Sequence, residues 1–234
     1  MVHRPMVCLA ACLSSGLSVA VPAVAGASDG LAPYTEEAAA RGIDYTYPFI
    51  GGAAGYGVAF ADLDNDGDPD LVTIGQVDQL VGLWENDGGG HFTLRSAGSG
   101  IGPLGATSSL LLLDYDRDGR MDLFVGRYGT SSRLYRNLGG FQFQDVTMPM
   151  GVVESGPVVG SVAFDYDGDG WTDIAVGRYG QPNRLLRNLS GTGFVDVGAE
   201  QGVADVWNTW QGVALDCDGD GDLDIYSSND KKVP

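Results

Sequence analysis

Positive charge is scarce in this chain. Its 234 residues hold 13 Lys and Arg against 31 Asp and Glu, a formal net charge of −18. Nucleic acids are bound through basic faces, so this balance argues against such a partner. It gives no support for direct binding to an anionic membrane. Histidine is nearly missing, with His3 and His91 only. Cysteine is confined to Cys8, Cys12 and Cys217. No nucleophile motif appears, and the glycine-rich turns lack both the Lys of a phosphate loop and the spacing of a dinucleotide-binding turn. His91 falls in a turn before a strand, and most carboxylates belong to one recurring motif. The expectation is therefore a protein that is not an enzyme.

That motif is what the sequence does have. Asp62 to Asp70 reads DLDNDGDPD, and the pattern returns as DYDRDGRMD from Asp114, DYDGDGWTD from Asp165 and DCDGDGDLD from Asp216. A fixed period of about 51 residues marks a repeat architecture. Calcium takes six to eight oxygen ligands in a flexible shell. Alternate Asp residues on a tight loop can turn inward together: Asp62, Asp64 and Asp66; Asp114, Asp116 and Asp118; Asp165, Asp167 and Asp169; Asp216, Asp218 and Asp220. The sixth residue is always Gly (Gly67, Gly119, Gly170, Gly221), where positive φ costs little. The seventh varies as Asp68, Arg120, Trp171 and Asp222, as a ligand offering only its backbone carbonyl predicts. Asp70, Asp122, Asp173 and Asp224 at the ninth position close each shell. The expected cofactor is calcium, about four ions, which would bring the net charge to about −10. The bland alternative is a set of solvated acidic turns, since Asp and Gly favour turns on conformational grounds alone. Four copies in register, with carboxylates close enough to repel one another without a cation, argue against it.

These are not EF-hand loops. The twelfth position, where an EF-hand needs a bidentate Glu, holds Thr73, Val125, Val176 and Ser227. The flanks are short apolar or β-branched runs such as GVAF and LVTIG, which read as buried strands. Each loop thus joins two strands of a hairpin. A third strand follows (LVGLWEN, SRLYRN, NRLLRN), ending at Asn86, Asn137 or Asn188 before a Gly-rich turn, and then a fourth (HFTLRS, FQFQDVT, GFVDVG). Four short strands in about 50 residues is the signature of a propeller blade. The fold class is all-β: propeller blades of four antiparallel strands, about three complete plus a partial fourth, as in a fragment of a larger propeller. The repeats run at about 53–104, 105–155, 156–206 and 207–234. The second strand is expected to end at Gly75, Gly126 and Gly177. Arg127-Tyr128-Gly129 and Arg178-Tyr179-Gly180 recur one period apart, which favours a structural role between blades. Asn188-Leu189-Ser190 matches a glycosylation sequon, but Asn86 and Asn137 hold the same place without one, so a turn role is expected.

Residues 1–27 read as a secretory signal peptide. His3 and Arg4 precede an apolar stretch, and small residues suit cleavage before Gly26 or before Ser28. Leu9-Ala10-Ala11-Cys12 matches a lipoprotein box only superficially, because it lies too early. The chain is therefore expected to be secreted, extracellular or periplasmic, with the cell surface possible and no direct membrane insertion after cleavage. Cys217 alone remains and is expected to be a packed apolar residue, so no internal disulfide forms. Residues 28–52 form a lead-in. Its YTEEAAARGI resembles FQDVTMPMGV and FVDVGAEQGV, so it reads as an outer strand plus a short turn.

The segments GVAFADLDNDGDPDLVTIG, WENDGGGHF, RLYRNLGGFQFQDVT and RLLRNLSGTGFVDV resemble the FG-GAP/VCBS repeat proteins, which include integrin α-type propeller repeats and secreted proteins of the cartilage acidic protein 1 type. The resemblance covers about Tyr34 to Asn229. It implies calcium ligands at the Asp positions given above, with the backbone oxygens of Asp68, Arg120, Trp171 and Asp222 completing the protein ligands. It is poor for activity, because one fold hosts many functions. Three functions stay open. One is a binding or adhesion module for an unknown glycan or extracellular protein. Another is a scaffold within a larger surface protein. The alternative is a catalytic or non-catalytic propeller domain of a polysaccharide-active enzyme. Exposed tryptophans among Trp84, Trp171, Trp207 and Trp210 would favour glycan binding, and buried ones the scaffold.

Overall fold

Strands follow from the runs of β-branched and apolar residues on either side of each Asp motif. The computed structural model describes residues 35–44, 57–75, 80–152 and 155–230, apart from the side chains of 207, 208, 210 and 230. The signal-peptide reading of 1–27 lies outside these residues, as do the side chains of Trp207 and Trp210. The first blade is β1 (Gly57–Ala61), β2 (Asp70–Ile74), β3 (Gly82–Asn86) and β4 (Phe92–Leu94), hydrogen-bonded in that order. The second is β5 (Thr107–Leu113), β6 (Asp122–Ser131), β7 (Arg133–Asn137) and β8 (Phe143–Asp145). The third is β9 (Ser155–Phe164), β10 (Asp173–Pro182), β11 (Arg184–Asn188) and β12 (Phe194–Asp196). The fourth unit is the hairpin β13 (Val206–Leu215) and β14 (Asp224–Asp230). Neighbouring strands pair antiparallel, and an Asp motif links the first two strands of every unit.

The core lies between blades. Leu63, Val72, Ile74 and Leu83 of the first blade pack with Leu123, Val125, Tyr135, Phe141 and Phe143 of the second. Tyr115, Phe124 and Leu134 of the second pack with Val158, Ile174, Val176 and Phe194 of the third. A smaller cluster joins the third to the fourth, around Phe164, Ala175 and Leu185. This sandwiching explains why β6 is buried from Asp122 to Gly126, with Leu123 and Val125 against the first blade and Phe124 against the third. A strand covered on both faces reads as a continuous apolar run rather than an alternation.

Two expectations are corrected here. The second strands of the later blades do not end at Gly126 and Gly177, because β6 and β10 run on to Ser131 and Pro182. Their extensions pair with the next blade, Tyr128 opposite Pro157 and Tyr179 opposite Asn208. The Arg-Tyr-Gly repeats are thus joints between blades. Gly126 marks the close approach: a Cβ there would lie 2.7 Å from Val158 Cγ1. Cys217 is exposed rather than packed. Its counterparts Leu63 and Tyr115 are covered by the following blade, with Tyr115 and Phe194 rings 6.1 Å apart, and no described residue plays that part for Cys217.

Within residues 35–44 the structure shows a 3-10 turn at Ala39–Arg41 closed by Gly42, and no strand. The rest of the expected lead-in strand, 28–34 and 45–52, lies outside the described residues. The turn occupies the place that closing turns take on later blades. A Cβ at Gly42 would sit 2.3 Å from Phe92 O, and one at Gly100 would sit 2.2 Å from Phe143 O. Exposed apolar side chains concentrate on β1 (Val58, Phe60) and on the fourth unit (Val213, Leu215, Tyr226). No helix among the described residues is long and apolar enough to cross a membrane.

Candidate metal centre

Each Asp motif folds into a loop through its own hydrogen bonds. The first Asp turns back on the backbone: Asp62 accepts from Asp66 N (3.1 Å) and Gly67 N (3.0 Å). Asp114 accepts from Asp118 N and Gly119 N, Asp165 from Gly170 N, and Asp216 from Gly219 N and Gly221 N. The sixth-position glycines have φ of 98°, 82°, 85° and 99°, which a side chain would resist. The seventh residues Asp68, Arg120, Trp171 and Asp222 donate their N–H to the fifth-position Asp66, Asp118, Asp169 and Asp220 at 2.9–3.0 Å.

The ninth Asp ties the loop to the sheet. Asp70, Asp122 and Asp173 are fully buried. One oxygen of each accepts from the second loop residue, Leu63 N (2.8 Å), Tyr115 N (3.2 Å) or Tyr166 N (3.0 Å). The other accepts from Asn86 N (2.9 Å), Asn137 N (2.8 Å) or Asn188 N (2.7 Å). Burial pushes these carboxyls up despite the two bonds, Asp122 to about 7 and Asp173 to about 6, and Asp70 in the same direction. Burial also raises Asp64, with the neighbouring Asp66 adding to it. Asp224 accepts from Cys217 N (3.0 Å) and is exposed.

The loops bring three carboxylate oxygens within 4.8 Å of one another. The groups are Asp62, Asp64 and Asp66; Asp114, Asp116 and Asp122; Asp165, Asp167 and Asp173; and Asp216, Asp218 and Asp224. Two buried oxygens, Asp64 Oδ1 and Asp165 Oδ1, have no hydrogen-bond partner. A buried acceptor without a donor is costly. A hard cation among carboxylates would satisfy it, so these residues fit calcium. Zinc and the softer metals prefer His and Cys, and the clusters contain neither.

The asparagines do more than turn the chain. Asn137 Nδ2 donates to Leu63 O (2.9 Å) in the preceding loop and to Met121 O (3.0 Å) in its own. Asn188 Nδ2 does the same with Tyr115 O (2.9 Å) and Thr172 O (3.0 Å). Each thereby links consecutive Asp loops. Asn188 is 1% exposed with its amide nitrogen committed twice, so the sequon is a structural joint in the folded chain. Arginines are the other addition. Arg136 pairs with Asp116 (2.7 Å) and Asp118 (3.0 Å), and Arg187 with Asp167 (2.8 Å). Both are the Arg of the repeated Arg-Asn that ends the third strand, Arg136-Asn137 and Arg187-Asn188, and that repeat is the visible signal. His91 lies in the turn after β3, its N–H donating to Asp87 Oδ1 (3.1 Å). Trp84 is buried, with Nε1 donating to Thr73 Oγ1 (3.1 Å), and Arg117 lies over the Trp171 ring, 4.4 Å from its centroid.

The chain matches cartilage acidic protein 1 of Mus musculus with 28% identity, over 64% of this chain and 25% of that protein. The Xenopus tropicalis protein of the same name matches with 25% identity over 74% of this chain and 30% of its own length. The chain thus spans about a quarter to a third of the curated relatives it matches. Among solved structures, the V. cholerae biofilm matrix protein Bap1 superposes with a TM-score of 0.42 and 19% identity, covering 73% of this chain and 23% of that one. The FG-GAP-like repeat matches three overlapping segments, 62–125, 114–176 and 165–227, each running from one Asp loop through the next. Together these segments span well over half of the sequence, and the chain belongs to the FG-GAP-like repeat family.

Proposed function

We propose that this chain is a secreted, calcium-stabilised propeller-repeat module with a binding or scaffolding role, its partner an extracellular protein or glycan. The observation that carries the metal reading is the pair of partnerless buried oxygens, Asp64 Oδ1 and Asp165 Oδ1, inside clusters of converging carboxylates. Similarity to cartilage acidic protein 1 over 64% of this chain, together with the FG-GAP-like repeats, supports a propeller-type module. Calcium, when bound, would supply positive charge and oxygen-coordinating capacity to each loop. The first, third, fifth and ninth Asp, with the seventh-position carbonyls of Asp68, Arg120, Trp171 and Asp222, would hold it.

The chain's own part is to preorganise those groups. The first Asp bends the loop, the ninth fastens it to the third strand, and the Asn amide fastens it to its neighbour. At 100 times its dissociation constant an ion adds roughly 2.7 kcal/mol of folded stability per independent site. Four such sites are large against a typical net stability of about 5–15 kcal/mol. Extracellular calcium modules bind at about 0.1–1 mM, which suits an exported chain. Equilibrium dialysis against radioactive calcium tests the reading. About four ions per chain are expected near millimolar calcium, and none bound would overturn it.

A further inference from the structure

The three complete loops differ at one place that the repeat pattern does not dictate. The residue before the third-strand Asn is Glu85 in the first blade, Arg136 in the second and Arg187 in the third. Arg136 reaches the third and fifth Asp of its loop, with Nε 2.7 Å from Asp116 Oδ2 and Nη2 3.0 Å from Asp118 Oδ2. Arg187 Nη2 reaches Asp167 at 2.8 Å and Asp169 at 3.5 Å. Arg120 adds a further pair with Asp118. In the first blade Glu85 instead holds Arg95, whose Nε donates at 2.7 Å, and among the described residues no cation pairs with a loop-one Asp. Loop one thus carries five Asp, with Glu85 and Arg95 cancelling beside it. Loop two carries four Asp paired with Arg120 and Arg136, and loop three four paired with Arg187, while Arg117 lies over the Trp171 ring.

We propose that these arginines rank the complete loops for calcium: loop one, with none on its carboxylates, binds first, loop three, with Arg187, next, and loop two, with both Arg136 and Arg120, last. The inference rests on the calcium reading above and adds what regulates it. An arginine on the third and fifth carboxylates is a built-in counterion. It occupies lone pairs that a cation needs, and it lowers the local negative charge that attracts one. Both effects weaken binding, and both hold the loop together without metal. Loop one has no such substitute. The first blade is then the calcium-responsive part of the chain, and the second is the part that keeps its loop closed when calcium falls.

Calcium titration followed by NMR separates this from the parent reading. The amides of Gly67, Gly119 and Gly170 each donate to the first Asp of their own loop, so each reports one site. The Gly67 midpoint is expected at least about tenfold below that of Gly119, a decade of affinity being 1.4 kcal/mol, with Gly170 between them. Glu85→Arg should raise the Gly67 midpoint by about tenfold or more, and Arg136→Gln should lower that of Gly119 without moving Gly170. Should either variant fail to fold, Glu85→Gln and Arg187→Gln ask the same question with smaller changes. Three coincident midpoints that ignore the substitutions overturn the ranking and leave the calcium sites standing. Amides that do not respond well above about 1 mM calcium overturn the calcium reading, and this inference with it.

Discussion

The third and fourth Asp loops are nearly the same sequence in two settings. DYDGDGWTD and DCDGDGDLD share their four Asp positions and both internal glycines. They also share their local bonds: Gly170 N donates to Asp165 and Gly221 N to Asp216, and the second residue donates to the ninth Asp in each. Yet Asp173 is fully buried and Asp224 is exposed. The difference comes from outside the loop. Asp173 receives Asn188 N at 2.7 Å from the third strand, whereas Cys217 N is the bond shown for Asp224. The loop conformation is therefore local, and its enclosure is supplied by the rest of the blade. The loop sequence is enough to bring its carboxylates together, as at Asp216, Asp218 and Asp224; fastening to β11 and cover from the sheet are what bury the third loop's ninth Asp.

Several measurements would break or sharpen this contrast. The largest effect is expected from Asp173→Ala, which strands the buried Asn188 N–H and the part-buried Tyr166 N–H, at about 1–3 kcal/mol each. Urea unfolding should show a loss of about 3 kcal/mol or more, against about 1 kcal/mol or less for Asp224→Ala; equal losses would deny that enclosure matters. Asn188→Ala removes the donor to Tyr115 O and Thr172 O and the acceptor for Gly191 N. It should cost about 2 kcal/mol in the same assay. No glycan should be found on Asn188 of the folded chain by mass spectrometry.

A smaller, pH-dependent effect follows from the same burial. Asp122 and Asp173 are pushed up to about 7 and about 6. The metal-free folded chain then binds more protons than the unfolded chain above pH 4, where free Asp ionises. Their contribution is full below that point and is lost as pH rises through 6 and 7. In a chelator the melting temperature should fall from pH 5 to pH 7.5. With saturating calcium the fall should vanish or reverse, because binding requires ionised ligands. The smallest expected change is from Arg117→Ala, which removes the cation over Trp171 for about 0.5–1 kcal/mol.

How much of this was legible in the sequence differs by level. The Asp loops, their glycines and the flanking strands repeat at one period, and each depends on residues close in sequence. The propeller-blade order followed from the same spacing. What escaped were contacts set by how blades stack. Asn137 reaches Leu63 O across 74 residues and Asn188 reaches Tyr115 O across 73, which no local pattern announces. The strands run past Gly126 and Gly177 because the next blade's β9 and β13 offer partners there. Cys217 looked like Leu63 by position, but burial at that place belongs to the following blade. The Arg-Asn repeat was visible, while the pairing of Arg136 with Asp116 needed the folded third strand.

The central claim is that these loops are cation-dependent fastenings of the fold. Thermal unfolding of the chain in 1–2 mM calcium and in excess EDTA, about the range that extracellular modules require, tests it most directly. The account expects a large rise in melting temperature with calcium, greater for the wild type than for Asp173→Ala. Identical melting in the two buffers would contradict it and leave the four loops as acidic turns.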